Sequence, residues 1–407
     1  MIYYITARRR GLATALIAVT FLLLWTITLL FDTSIRYNYK TESGKITGIS
    51  HGRRFSLFVD DVIFDQPWSI DNVTSINDVN YFLTNTQNRY IISDFTYSPG
   101  SLGNLMFQYA TLKSLALNYT AELLVPINCK LRRAFSLNVT FISEDVFDKL
   151  FKLFKTNRTN FQICCKYYPP STYQIFNTPG HHIEFLTGYF QSFRYFHPQY
   201  ETVIRNEFKF LPEIQTKAKN LINTAKNLKL IPNNSAKFNH MSRSNRTNIS
   251  YETNITYVGL HVRMGVDVTL NIKNVAHGHT TATKEYFMHA MDYFRNKYGN
   301  VLFIIASDNP NWVRREIKPQ AHVLFVEVMN ASSGEIYVLK THQREIDLAT
   351  LTLCNATILS TGTFSWWAGY LANGEAIYYQ NWPLKDSVLD FMVQKSDFFM
   401  PTWISME

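Results

Sequence analysis

Apolar and polar positions divide the chain into three regimes. From Gly11 to Phe31 the sequence GLATALIAVTFLLLWTITLLF carries no charge, and at about 1.5 Å per residue it is long enough to cross about 30 Å of hydrocarbon as a helix. Residues 32–88 are rich in Ser, Asn, Asp and Tyr with only short apolar pieces such as FSLFVDDVIF, the composition of a stem leading to a folded body. Packed elements are expected from about Tyr90. RYIISDF reads as a strand and SPGSLGN as a glycine-rich turn. Leu105, Tyr109, Leu112 and Ala116 then fall on one face of a helix from Asn104 to Asn118, and ELLVP reads as the next strand. Strand, turn, helix and strand in that order form a βαβ unit, which requires a parallel sheet.

Residues 120–215 are aromatic-rich without clear periodicity. SAKFNHMSRSNRTNISYETN, from Ser235 to Asn254, is polar between apolar flanks and predicts a domain junction or a surface loop. Beyond it YVGLHVRMG reads as a buried strand, and Phe287, Ala290, Met291, Phe294 and Tyr298 mark one face of a helix over Thr283–Tyr298 that Gly299 stops. VLFIIASD, HVLFVEV, ATILSTG and AIYYQN predict further strands, separated by helices at NPNWVRREI, REIDLATLTLC and TFSWWAGYLA. This alternation predicts a doubly wound α/β domain, whose ligands sit outside the carboxyl ends of its strands. The resulting division is a tail over 1–10, a membrane-spanning segment over 11–31, a stem over 32–88, and α/β domains over 89–250 and 251–407.

Charge adds a direction. Arg8, Arg9 and Arg10 precede the apolar run, whereas Asp32, Arg36, Lys40 and Glu42 follow it with mixed sign, so the positive-inside bias places the N-terminus in the cytosol and the body in the lumen. The run exceeds the about 7–15 residues of a signal-peptide core, and no A-x-A-like site follows it, which points to an uncleaved signal anchor. N-x-S/T begins at Asn72, Asn118, Asn138, Asn157, Asn233, Asn245, Asn248, Asn254, Asn330 and Asn355, a density that suits a luminal body, with burial of some, such as Asn355, compatible with the pattern. Cys129, Cys164, Cys165 and Cys354 allow up to two disulfides there, with different partners expected for the adjacent pair, and no C-x-x-C supports a zinc or redox site. The net charge of +9 is scattered along the chain. It argues against nucleic acid and for smaller anions, such as a phosphorylated small molecule or an acidic membrane surface.

Three predicted strand ends carry polar groups. In HVRMGVDV, His261 and Arg263 share one strand face before Gly265, and the arginine either forks onto a phosphate or serves as a solvated or ion-paired residue. In IIASDNPNW, Ser307 and Asp308 precede a Pro-bearing helix start. Asp308 either caps that helix or accepts the paired N–H donors of a guanine edge. In STGTFSWWAGYLANG the chain passes through Gly362 into a helix, so the amides and hydroxyls of Thr363 and Ser365 are expected to face what lies beyond the sheet, where helix N-termini attract phosphate. Together these predict a nucleotide-diphosphate site, and in the lumen a sugar donor. No D-x-D is present, the nearest approach being Glu345 and Asp347 inside the REIDL helix, so neutralisation of the leaving diphosphate is expected from Arg263 and the helix N-terminus without a metal.

These tracts resemble those of the luminal galactoside alpha-1,2-fucosyltransferases over most of the body. SPGSLGNLMFQYATLKSLAL is similar to their G-R-L-G-N-Q-M-F-Q-Y-A tract, LTGYFQSFRYF to G-Y-[FW]-Q-S and VGLHVRMGVDV to V-G-V-H-V-R-R-G-D. DLATLTLCNATILSTGTFSWWAGYL is similar to the long D-[FL]-A-L-L-T-x-C-N-x-T-I-x-x-x-G-T-F-x-x-W-A-x-Y-L.

The resemblance implies a GT-B arrangement of two Rossmann-like domains facing a cleft, with the acceptor on the first and the donor on the second. It also implies GDP-fucose as donor, a galactose-terminated glycan as acceptor, inversion at the fucose carbon and a single-pass type II Golgi location. Carried over by position, it places the donor diphosphate on Arg263, guanine on Asp308 beside Ser307, and the phosphates on Thr363, Ser365 and neighbouring amides such as that of Phe364. Asn104 would reach across from the first domain. His261, Asp267 and Glu184 are the candidate general bases, and a homo-oligomer is compatible with the sequence. The chain departs from the family tracts at Met264, which replaces a second arginine, at Val266, which delays Asp267 by one residue, at Ser101 for Arg and at Leu105 for Gln. A different linkage or acceptor, or a catalytically silent binding homologue, are the competing readings.

Overall fold

The apolar runs of the body become two all-parallel sheets. The structure is a computed structural model that describes residues 73–94, 102–157, 159–161, 164–230, 254–317, 336–339 and 343–407. The first sheet contains β1 (Arg89–Ser93), β2 (Ala121–Pro126), β3 (Thr140–Ile142), β4 (Thr159–Phe161) and β5 (Ile183–Gly188) in the order β3-β2-β1-β5-β4. The second contains β6 (Thr256–Val262), β7 (Val301–Ser307), β8 (Ile336–Val338), β9 (Ala356–Leu359), β10 (Glu375–Tyr379) and β11 (Ile404–Met406) in the order β11-β10-β9-β6-β7-β8. Every named strand pair is parallel. Continuous apolar strands such as Val301–Ala306 are buried throughout, as expected where helices cover both faces of a sheet.

Several expected elements appear with shifted bounds or faces. The helix after β1 spans Leu102–Asn118 and is buried nearly all round, including Met106, Phe107 and Ala110 opposite the expected apolar face. One side packs on the first sheet, and Phe107 meets Trp366 and Trp367 of the Thr363–Ala372 helix at ring-centroid distances of 4.5 and 5.0 Å. The helix Lys284–Tyr298 ends at Gly299 as expected and begins one residue later than expected, with Thr283 as its cap. Its buried set, however, includes Tyr286, whose hydroxyl donates to Leu359 O and Ile377 O, and leaves Tyr298 exposed. Short strands β3, β4, β8 and β11 escaped the periodicity, being three residues each.

The body also starts earlier than the stem boundary at residue 88. Ile76 bridges to Ile142, and Phe82 of the Val79–Thr84 helix is fully buried. The sulfurs of Cys164 and Cys165, for which separate partners were expected, are joined to each other, while Cys129 and Cys354 are buried and free. Asn118, Asn138, Asn254 and Asn355 are exposed, Asn355 while accepting from the Tyr257 amide at 2.9 Å. The 11–31 run, the HVLFVEV segment and the sequons at Asn72, Asn233, Asn245, Asn248 and Asn330 lie outside the described residues. Among those described, no helix is long and apolar enough to cross a membrane.

One hydrophobic core runs through both sheets and the helices between them, and a second, smaller one gathers Phe82, Tyr90, Ile92, Phe147 and Phe185 about the first sheet. In the larger core Phe107, Phe196, Trp366, Trp367 and Phe398 pack ring against ring, and Trp367 Nε1 donates to Gly103 O at 3.0 Å. Aromatic pairs of this kind add about 0.5–1.5 kcal/mol each beyond their buried area. The second sheet's β9-to-α turn is thereby clamped to the first sheet's leading helix, which brings polar residues from both to one place.

Candidate active site

In the second sheet β6 lies between β7 and β9, so chain order runs away from it on both sides and opens a crevice at the carboxyl ends of these strands. The three polar strand ends converge there. Arg263 follows β6, and its guanidinium is ion-paired to Asp267 through Nη2 and stands 3.7 Å from Asp308 Oδ2 through Nη1. Its amide donates to Ser360 Oγ, just past β9, at 3.2 Å. One guanidinium thus sits between two carboxylates in a turn held by the neighbouring strand.

Asp308 does not cap the following helix. Asn309 does, its side chain accepting from the Trp312 amide at 3.0 Å ahead of Pro310, while Asp308 Oδ1 takes the Met264 amide at 2.7 Å. Burial pushes the Asp308 carboxyl up and Asp267 adds to this, against the pull of the Met264 amide and Arg263. Ser307 Oγ accepts from the Asn309 amide at 2.9 Å and shapes the same turn. Met264, standing where the related tract has a second arginine, is buried in the core.

The third strand end is more enclosed than its sequence implies. Gly362 adopts φ +89° and no side chain caps the Thr363–Ala372 helix, which leaves its first amides without a side-chain acceptor. Ser365 was expected to face outward but is fully buried, accepting from the Ser360 amide at 2.8 Å and lying 3.0 Å from His261 Nδ1. Thr363 is likewise buried and donates through Oγ1 to Asn104 Oδ1 at 2.7 Å. Phe364 covers the His261 ring at a centroid distance of 4.7 Å. Asn104, in the first turn of the Leu102–Asn118 helix, is thereby joined directly to the second sheet's site.

His261 is a support for this turn and a poor proton acceptor. Burial, with the nearby Arg263, pulls its imidazole from the ordinary 6.5 down to about 3, so the ring is neutral in the folded protein. Glu184 is not part of the cluster. It sits in β5, its carboxylate accepting from the Phe176 amide at 2.8 Å, and burial raises its carboxyl. Among the described residues no group of three or more His, Cys, Asp or Glu side chains is arranged to hold a metal ion.

The profile of the family described as Glycosyl transferase family 11 matches residues 76–407. The chain belongs to glycosyl transferase family 11. Curated relatives of this glycosyltransferase include galactoside alpha-(1,2)-fucosyltransferase 2 of Bos taurus, 29% identical over 315 residues that cover 75% of this chain and 77% of the relative. The protein of the same name from Sus scrofa is 31% identical over 232 residues, covering 56% and 57%. Among solved structures, POFUT1 in complex with GDP-fucose matches 74% of this chain and 96% of its own at 11% identity and a TM-score of 0.42, an overlap too slight to add to the topology described above.

Two residues of this family 11 enzyme received no role from the sequence. Gln191 Nε2 donates to Asn104 Oδ1 at 3.1 Å; it lies in the G-Y-F-Q-S tract, which signalled its presence but not its contact. His279 lies in the electrostatic reach of Arg263 and Asp267. Burial lowers its pKa, His277 and Arg263 lower it further, and Asp267 opposes them. No sequence pattern singles it out.

The buried imidazole predicts an acid sensitivity. Between about pH 6.5 and 3 the folded protein carries fewer protons on His261 than the unfolded chain, so stability rises with pH through that window and falls on acidification by about 1.4 kcal/mol per unit from this group. His279, shifted in the same direction, adds to the slope. Thermal unfolding at pH 7 and pH 5 should show the loss, with a shallower dependence in His261→Asn. Equal slopes in both proteins would contradict a neutral buried ring.

Proposed function

We propose that this glycosyltransferase is an inverting fucosyltransferase that moves L-fucose from GDP-fucose to the 2-hydroxyl of a terminal galactose on a glycan. Family membership and the names of the relatives support the reaction class. The observation that carries the reading is the placement of Arg263 beside the uncapped start of the Thr363–Ala372 helix, with Asn104 brought against that start from the first sheet. A diphosphate leaving group develops charge as the glycosidic bond breaks, and a fixed guanidinium fork, helix amides and an amide side chain are suited to stabilise it.

Arg263, Asp267 and Asp308 together carry one positive and two negative charges. A diphosphate therefore binds by drawing the Arg263 fork away from its carboxylates, leaving Asp308 Oδ2 to accept an N–H of the guanine while Oδ1 keeps the Met264 amide, and Asp267 free to accept a proton. Asp267 is the candidate base of choice, being exposed at the site, whereas His261 and Glu184 are committed elsewhere. In this reading the second sheet, within residues 251–407, carries the donor, and residues 89–250 face the acceptor in a GT-B-like arrangement. The 11–31 run serves as a type II anchor that places the body in the Golgi lumen.

The full chain in detergent, supplied with GDP-fucose and a panel of galactosides, is expected to yield an alpha-1,2-linked product and to keep most of its activity in excess chelator. Another linkage in the product would move the acceptor assignment, GDP-fucose binding without product on any acceptor would indicate a silent homologue, and recovery of chelated enzyme only with manganese would overturn metal-free leaving-group stabilisation.

A further inference from the structure

The amide of Asn104 has one face committed. Its Oδ1 accepts from Thr363 Oγ1 at 2.7 Å and from Gln191 Nε2 at 3.1 Å, which uses both lone pairs of the carbonyl oxygen. The Nδ2 group then points away from these two partners, and no described residue accepts from it. Thr363 alone does not set this orientation, because a hydroxyl donates or accepts equally well and would satisfy either flip of the amide. Gln191 differs, since its Nε2 only donates. Its other end, Oε1, rests 3.2 and 3.3 Å from the sulfurs of Cys164 and Cys165, which as a disulfide carry no hydrogen to donate, and the side chain is buried at 7% exposure, so the bond to Asn104 is what engages this amide.

We infer that Gln191 is a positioning residue for donor binding: by donating to Asn104 Oδ1 it holds the amide with Nδ2 facing the diphosphate. The inference rests on the reading of Asn104 as a diphosphate ligand. It assigns Gln191 no contact with substrate. Its effect passes through one hydrogen bond to a neighbouring side chain, and it explains why an amide from the loop after β5 reaches the helix start of a different strand crossing. A reversed Asn104 would aim a carbonyl oxygen at the diphosphate, replacing an attraction by a repulsion between like partial charges.

The test is a double-mutant cycle in the full chain, read by GDP titration calorimetry and by donor KM and kcat. Gln191→Glu offers Asn104 only acceptor oxygens and favours the wrong flip, so GDP affinity should fall about tenfold, the scale of one lost hydrogen bond to a charged group, with donor KM raised more than kcat is lowered. Gln191→Met, close in shape and apolar, tests the same point without a buried charge and should weaken GDP several-fold with an unfolding temperature near that of the parent. In an Asn104→Ala background both substitutions should cost nothing more, because the group they act through is gone. If either change leaves GDP affinity within twofold of the parent, or if its cost persists in Asn104→Ala, Gln191 does not position Asn104. If Asn104→Ala alone leaves GDP binding unaltered, Asn104 is not a donor ligand and the inference falls with that reading.

Discussion

Arg263→Ala is expected to lower kcat/KM for GDP-fucose by about 10²–10³-fold, the scale seen when one preorganised donor to a developing negative charge is removed. Two effects combine. The leaving diphosphate loses its guanidinium, and Asp267 and Asp308, which the arginine holds apart in charge, are left as neighbouring carboxylates that repel the incoming anion. Arg263→Lys should recover little, since an ammonium keeps the charge without the planar fork that spans two oxygens. Steady-state kinetics with GDP binding on the same preparations checks this. An Arg263→Ala enzyme with GDP affinity and turnover near those of the parent would remove Arg263 from the site.

Gly103→Ala is expected to be nearly as damaging by a purely steric route. A Cβ at this position would lie 2.6 Å from the Thr363 carbonyl carbon, 2.7 Å from the Phe364 nitrogen and 2.7 Å from Thr363 Oγ1. The first two are backbone of a buried helix start and cannot rotate away. Accommodating even one methyl group means separating the two helices, which opens the packing of Phe107 on Trp366 and Trp367 and stretches the Thr363–Asn104 hydrogen bond. Overpacking of this kind costs about 1–3 kcal/mol, and donor binding should weaken at least tenfold because the site spans the contact. Thermal unfolding and GDP titration should both register it. A Gly103→Ala protein with unchanged melting temperature would mean the two helices do not meet as described.

How much of this was legible before the fold depends on the range of the interaction. The βαβ order, the buried character of β6 and β7 and the Gly299 stop followed from local pattern, because propensity, capping and strand burial act over a few residues. The Leu102–Asn118 helix reads as one-sided, since i to i+4 spacing reports only the face turned to its own sheet. Phe107 and Gly103 found a second partner about 260 residues away in the Thr363–Ala372 helix. At the β7 end, Asp308 and Asn309 both stand before Pro310 with equal capping chemistry, and it was the loop after β6, offering the Met264 amide, that drew Asp308 away and left the cap to Asn309. Ser365 turned inward for a similar reason: His261 and the Ser360 amide offered it buried partners.

That the body is α/β with parallel strands, and that Arg263, Asp308 and Thr363 stand at strand ends, followed from the residues alone, because apolar runs and turn chemistry are local and survive without knowledge of neighbours. Which of those ends meet was set by the packing of distant segments. Placing β6 between β7 and β9, and pressing Gly103 against Thr363, are pairings between residues far apart in the chain. Shape and hydrogen-bond complementarity select them among many candidates of equal hydrophobicity, and those pairings give Arg263 its two carboxylates, His261 its neutral ring and Asn104 its fixed amide.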